Sequence, residues 1–359
     1  MKLELLIDSD AFWKKLKPEI LAAKKRVYIQ TLSFEGDSVG LDLSESMINS
    51  KAPDKRIIVD SYTRHIINDT WIYSPLSLFK AELRQEVSAT KQMIDHLNSN
   101  GVEVTFVNPF GFLYCHIPHR NHKKIIIVDD SICYIGGINF SEHNFAWHDM
   151  MMRVESDEAT EFFARDFQIS CKQKHFKGQL DLDDITFISL DGTNNEQLYR
   201  PFIDIINQAS DSIIVHSPYL CHPFTEYLHE ASGRNVSVTI ISPSMNNKKT
   251  LKEFIQWESK RSKFTLQMYE QRMLHLKSML IDNKYLVIGS CNFDYFSYAF
   301  EQEIIAIITN DEIIEDFKKR VIEYDLSQST LDSGTISNWR GRRRDIEMRL
   351  VSKLMHLFN

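Results

Sequence analysis

The 359-residue sequence predicts an α/β protein of two similar α/β halves, each with a mixed central sheet, packed around one pseudo-two-fold active site. Three observations carry this expectation. HKKIIIVDD (122–130) and HLKSMLID (275–282) place His122, Lys124 and Asp129 at the same relative spacings as His275, Lys277 and Asp282. The segments before each stretch repeat in the same order. Helix-spaced apolar residues alternate with short β-branched runs, the pattern of βα units around a parallel or mixed sheet.

The elements follow in order. In AFWKKLKPEILAAKKRVYIQTLSF (11–34), Phe12, Leu16, Ile20 and Ala23 have helical spacing and a strand follows at 27–29. LYRPFIDIINQASDSIIVHSPYL (198–220) repeats this order, with Ile206 and Ala209 matching Ile20 and Ala23, and Ile213 matching Val27. Next come the strands KRIIVD (55–60) and VSVTIIS (236–242), then VEVTFV (102–107) and KFTLQMY (263–269), each leading to a histidine stretch. Both histidine stretches read as strands, since β-branched and apolar residues follow the polar start. NGVEV (100–104) reads as a helix end entering a strand.

The first half has an insertion at 62–90, including TWIYSPLSLF, that reads either as a surface excursion or as a flap over a substrate channel. KGQLDLDD (177–184) and SQSTLDSGT (327–335) read as linkers. The halves are therefore expected at 1–178 and 185–328, followed by a basic amphipathic helix at 336–359. In that tail Ile346, Leu350, Leu354 and Leu357 fall on one helical face, with Arg342, Arg343, Arg344, Arg349 and Lys353 around it. The pattern suits a helix docked on the body or one attracted to anionic headgroups.

Composition narrows the class. Apolar residues make up 43% and charged residues 25%, as in a globular protein with a substantial core. A net charge of −7 argues against a dedicated nucleic-acid binder, and no nucleic-acid partner is expected. The five cysteines, Cys115, Cys133, Cys171, Cys221 and Cys291, form no C-x-x-C pair and suit reduced thiols in the cytoplasm. MKLELLIDSD shows no apolar core of a secretory signal, and no apolar run approaches the ~20 residues that span a bilayer. A lipid substrate would be met from the membrane surface.

Residues two apart on a strand share a face, so His122 projects with Lys124 and His275 with Lys277, while Asp129 and Asp282 take structural roles. Two imidazoles and two ammoniums converging on one pocket suit displacement at a phosphodiester. One imidazole attacks phosphorus to give a phosphohistidine. The other protonates the leaving oxygen, then deprotonates the incoming hydroxyl or water. The lysines offset charge on the non-bridging oxygens, so no metal or other cofactor is expected. GGINF (136–140) and GSCNF (289–293) follow at matching offsets, aligning Gly137 with Ser290 and Asn139 with Asn292. The glycine permits close approach, while the hydroxyl and amides can donate to phosphate. Asp149 and Glu303 lie 27 and 28 residues after their histidines and can orient imidazole rings. CHIPHRNH (115–122) also admits a zinc reading with Cys115, His116, His119 and His122, but the second copy has no counterpart.

The doubled H-x-K-x4-D-x6-G-[GS]-x-N pattern resembles the phospholipase D superfamily, and within it the bacterial cardiolipin synthase branch lacking transmembrane segments. WHD (147–149), HSPYL (216–220) and GSCNFDYFSYAFEQE (289–303) are similar to segments of that branch. Phe296 stands where the branch usually has arginine, and Glu301 where it usually has asparagine. The resemblance implies the phospholipase D fold and a phosphatidyltransferase working through phosphohistidine, with His122 as nucleophile and His275 as general acid/base. Phosphatidylglycerol is the implied donor, and a second phosphatidylglycerol or another alcohol the acceptor. A phospholipase D-type hydrolase and a metal-independent nuclease of the superfamily are the alternatives. The expected location is cytoplasmic, peripheral to the inner membrane surface.

Overall fold

Val27 and Ile29 point to one face of their strand while Tyr28 points to the other, so this strand needs cover on both sides. The computed structural model describes residues 1–75, 77–193, 195–334 and 336–355, and it divides into units Met1–Lys177 and Gly178–Asn359. Leu76 of the insertion and Leu357 of the tail lie outside the described residues.

The first unit holds a seven-stranded sheet in the order Lys2–Ile7, Met150–Glu155, Ile132–Gly136, Ile125–Val128, Arg26–Thr31, Asp54–Asp60, Glu103–Val107. The last three strands are mutually parallel and the others pair antiparallel. Helices Asp8–Ala22, Ser38–Asn49 and Ala81–Ser99 cover one face through Phe12, Leu16, Ile20, Leu43, Met47 and Met93. Helix Asp157–Cys171 covers the other, where Phe167 stacks on Tyr28 with ring centroids 4.6 Å apart.

The second unit repeats this order in a nine-stranded sheet. Ile185–Ser189, Ile304–Ile308, Tyr285–Gly289, Ser278–Ile281, Ser212–His216, Ser237–Pro243 and Thr265–Tyr269 take the corresponding places. The two remaining strands lie at the edges and correct two expectations. The first expected linker carries strand Gly178–Leu182, paired with Ile185–Ser189, and the second carries Ser329–Leu331, paired with Thr265–Tyr269. Edge strands need cover on one face only, so their acidic and polar residues imitate loop composition.

The tail forms helix Asn338–Met355 and docks on the second unit through a side other than its leucine face. Gly341 lies against the Trp257 ring, and Met348 packs on the Cys221–Phe254–Trp257 cluster. Ile346, Leu350 and Leu354 are exposed. The arginines are also less available than their number suggests. Arg340 and Arg344 bind Glu253, Arg343 binds Glu347, and Arg349 binds Glu226 and Asp345. Local pairing cancels most of the positive field of this cluster.

The histidine stretches enter their strands later than expected. The strands begin at Ile125 and Ser278, so His122–Lys124 and His275–Lys277 approach them as irregular chain. Lys123, between two residues aimed at the site, takes the opposite direction. Its ammonium is fully buried, 2.7 Å from Asp166 Oδ2 and 3.2 Å from the carbonyl of Phe176. Removing one partner strands a buried charge. Asp166→Ala is expected to lower the unfolding free energy in urea by about 3–5 kcal/mol, whereas Lys123→Met with Asp166→Leu recovers most of it. Equal losses in the single and double variants would show that the pair has no such role.

Candidate active site

In both sheets a parallel strand lies beside the antiparallel strand that follows the histidine motif. Gln30 pairs with Ile125, and His216 with Ser278, at the C-terminal ends of Arg26–Thr31 and Ser212–His216. His122–Lys124 and His275–Lys277 therefore sit beyond the carboxyl ends of parallel strands, where α/β sheets place ligands.

His122, Lys124, His275 and Lys277 are all buried. Lys124 Nζ donates to the carbonyl of His122 at 2.8 Å. Lys277 donates to the carbonyl of His275, and its ammonium lies 2.6 Å from that ring's Nδ1. Tyr219 meets the His275 ring edge-on, with centroids 5.9 Å apart.

Asp129 and Asp282 stand at the far ends of the motif strands. Asp129 accepts from the backbone N–H groups of Lys24, Lys25 and Arg26, and Asp282 from those of Ser210, Asp211 and Ser212. These backbone donors hold the Asp282 carboxyl below its ordinary range against the opposing effect of burial, the largest single influence.

The residues after each motif form parallel sets within each unit. Asn139 Oδ1 accepts from Thr31 Oγ1 at 3.2 Å, and its amide donates to Asn144 Oδ1 at 3.3 Å. Ser217, one residue past the strand that matches Arg26–Thr31, donates to the carbonyl of Asn292 at 2.7 Å. Asn292 N donates to Ser297 Oγ at 3.2 Å, and Asn292 Oδ1 is buried without a hydrogen-bond partner among the described residues. Gly137 leaves the space that Asp149 occupies, since a Cβ there would lie 2.3 Å from Asp149 Oδ1.

Ser290 corrects an expectation. It was expected to donate to phosphate, but its hydroxyl proton goes to Glu303 Oε2 and its oxygen accepts from Ile304 N. With its only proton committed to a buried carboxylate, Ser290 positions Glu303. The other oxygen of Glu303 lies 2.7 Å from Ser297 Oγ. Ser297 was not singled out, although it lies within GSCNFDYFSYAFEQE and five residues beyond Asn292, the offset that separates Asn144 from Asn139. Asp294 caps the short helix Tyr295–Ala299, and burial, with Glu303 nearby, pushes its carboxyl up to about 6.

Arg120 and Asn121 were also missed. Buried Arg120 binds Asp60 Oδ1 at 2.8 Å, and Asn121 N donates to Asp60 Oδ2 at 2.6 Å. Burial pushes the Asp60 carboxyl up to about 6 despite the opposing pull of Arg120. These bonds clamp the chain entering His122. Among the described residues, Cys115, His116, His119 and His122 do not gather as metal ligands.

The family profile "Cardiolipin synthase, PLD-like domain" matches residues 16–170 and 202–324, spanning both motifs and their followers. The chain belongs to this phospholipase D-like family. Its curated relatives include Cardiolipin synthase A of Yersinia pseudotuberculosis serotype O:3 (strain YPIII) and Cardiolipin synthase A of Yersinia pestis, each 26% identical over 291 residues. These alignments cover 72% of this chain, and the chain spans only 58% of the length of each relative. Phosphatidylserine synthase of Haemophilus influenzae Rd KW20 shares the fold, with a TM-score of 0.73 at 11% identity over 98% of this chain and 93% of that one. Polyphosphate kinase of Porphyromonas gingivalis aligns at a TM-score of 0.63 and 9% identity, over 99% of this chain and 53% of its own. Among the described residues of this phospholipase D-like chain, no helix is long and apolar enough to cross a membrane.

In the first unit, a cavity of about 280 Å³ adjoins the segment after Asn139 and is lined by Glu35, Asp37, Glu86, Glu142 and His143. Burial, then neighbouring Asp37 and Glu86, push the Glu35 carboxyl from 4.5 up to about 8, against a backbone hydrogen bond from Asn68. Between these values the unfolded chain has released a proton that the folded chain keeps. Stability therefore falls as pH rises through this window and levels off above it. Glu35→Gln removes that fall. Its stability relative to wild type should rise between about pH 5 and about pH 8 in urea titrations, and a difference independent of pH would contradict the raised carboxyl.

Proposed function

We propose that the chain is a phosphatidyltransferase acting on phospholipid phosphodiesters through a phosphohistidine, with cardiolipin synthase-like chemistry. The observation that carries this reading is the doubled constellation: each unit holds a buried imidazole, a buried ammonium on the same short segment, and a buried asparagine and carboxylate just beyond. The halves share one site, and Glu303 orients His122 while Asp149 orients His275. The serine hydroxyls on both oxygens of Glu303 fix its plane and so support that role.

A His122 ring nitrogen attacks phosphorus, and the bond from phosphorus to the leaving glycerol oxygen breaks. His275 gives its proton to that oxygen, then takes one from the incoming hydroxyl as it attacks the phosphohistidine and releases His122. Lys124 and Lys277 offset charge on the non-bridging oxygens, with the Asn139 and Asn292 amides as further donors. Phosphatidylglycerol is the donor, and a second phosphatidylglycerol or another alcohol is the acceptor.

Labelled phosphatidylglycerol in mixed micelles should yield cardiolipin and glycerol, resolved by mass, with turnover surviving chelation. Phosphatidic acid alone would make the chain a hydrolase, and cleavage of nucleic acid without lipid turnover would overturn the lipid reading. His122→Ala and His275→Ala should each lower turnover by several orders of magnitude, since the two act as a unit. A phosphoryl adduct trapped on His275 in the wild type would reverse their roles.

The chain works at the cytoplasmic surface of the inner membrane, and the exposed Ile346–Leu350–Leu354 stripe contributes to attachment. With most neighbouring arginines paired, this contribution is mainly apolar. Ile346→Glu, Leu350→Glu and Leu354→Glu together should weaken co-sedimentation with phosphatidylglycerol vesicles severalfold while sparing turnover of a short-chain soluble substrate. Unchanged sedimentation would remove the helix from membrane attachment.

A further inference from the structure

The loop between strand Glu103–Val107 and His122 takes no part in the chemistry above, yet its tip carries some of the most exposed large apolar side chains in the protein. Phe112 is 85% and Leu113 81% exposed, and Tyr114 and Ile117 are exposed beside them. On the insertion, Phe79 is 88% exposed and Tyr73 is also exposed.

Aromatic contacts join the two segments into one surface. The Trp71 ring lies 5.4 Å from Tyr114 and 6.3 Å from Tyr73. His65 stacks on Phe110 at 4.1 Å and lies 5.5 Å from Tyr73. Gly111, Leu113 and Tyr114 all adopt left-handed φ values, of 72°, 50° and 61°. That conformation is unfavourable for leucine and tyrosine. His116 N closes the turn on the carbonyl of Phe110 at 2.9 Å, and Arg120 donates to the carbonyls of Asn108 and His116. The tip is thus a built structure that holds its apolar side chains outward.

We propose that this tip, Phe112–Ile117 with Tyr73, inserts into the interfacial layer of the phospholipid bilayer that holds the substrate. The inference rests on the phospholipid reading above and deepens it. The layering of side chains favours a bilayer. Phe112 and Leu113 are the most exposed of the group, Tyr114 is less so, and Trp71 and His65 are half-buried, a gradient that matches the order of depths such residues take at a membrane surface. The loop's base runs directly into His122, so the inserting tip and the motif histidine lie on one continuous stretch of chain.

The test uses the full chain and vesicles of phosphatidylglycerol. Phe112→Ser with Leu113→Ser should weaken vesicle partition about tenfold or more. Turnover of vesicle lipid should fall in parallel, while turnover of a short-chain monomeric phospholipid stays within about twofold of wild type. In vesicles with brominated acyl chains, Phe112→Trp should add fluorescence that is quenched relative to the wild-type background. Undiminished partition of the double-serine variant, or unquenched added fluorescence, overturns the proposal. So does a wild-type dimer that the serine substitutions dissociate without any change in vesicle binding. If the wild type turns over no phospholipid in either form, the proposed reaction fails, while partition and quenching still decide insertion.

Discussion

Two aspartates hold the active-site segments in place from the far ends of their strands. Asp129 and Asp282 each collect three successive backbone N–H groups at the start of the neighbouring parallel strand. The strand between each aspartate and its lysine is four residues long and wholly buried. A segment so short and so tightly packed has little freedom to slide, because a shift of one residue would turn every side chain to the other face. Fixing its distal end therefore fixes where the lysine and histidine emerge. The aspartate at the end of H-x-K-x4-D thus acts on backbone register.

The proximal ends are held differently in the two units. In the first, Arg120 and Asn121 converge on Asp60, and Lys123 reaches back to Asp166. In the second, Leu276 takes the place of Lys123, and buried His216 hydrogen-bonds Ser278 Oγ through Nδ1, with its Nε2 3.3 Å from Asp325 Oδ2. The carboxylates beyond the motifs differ in a matched way. Asp149 lies against Gly137, where no side chain intervenes, whereas Glu303 is held by the Ser290 hydroxyl at the matching position. Glycine leaves room and serine supplies a donor, two local solutions to the burial of a carboxylate.

Much of this was legible in the sequence. The repeated succession of helices and strands along the chain, the mixed sheets and the motif stretches follow from periodicity and matched offsets, because buried strands require apolar runs and polar residues within them stand out. The edge strands Gly178–Leu182 and Ser329–Leu331 were not legible, since partial exposure lets them carry loop-like composition. Nor was the docking face of the tail helix. A leucine stripe ordinarily marks the buried side, but here Gly341 lets the helix approach Trp257 closely and Met348 completes the seam. Single-residue spacing does not reveal the depth of a groove on another element. The Lys123–Asp166 and Arg120–Asp60 pairs escaped notice because their partners lie 43 and 60 residues away, with no periodicity to join them.

The duplication repeats the motif residues but not the chain around them. Between the third parallel strand and the motif histidine, the first unit has the long loop 108–121, and the second only the short segment 270–274. The added chain of the 62–90 stretch lies before helix Ala81–Ser99, and residues 63–73 line a cavity of about 360 Å³ with that helix. Arg64 lines that cavity with its guanidinium 3.9 Å from the Phe106 ring centroid, among Ile67, Ile72, Val87 and Ile94. A reaction with a donor and an acceptor passes through two inequivalent half-reactions at chemically similar groups. Groups so alike cannot by themselves distinguish the two substrates, so discrimination must come from surroundings that differ. Of the differences between the units, the two additions to the first lie next in sequence to its motif histidine His122 and its parallel strands, whereas those of the second, two edge strands and the tail helix, lie at its borders.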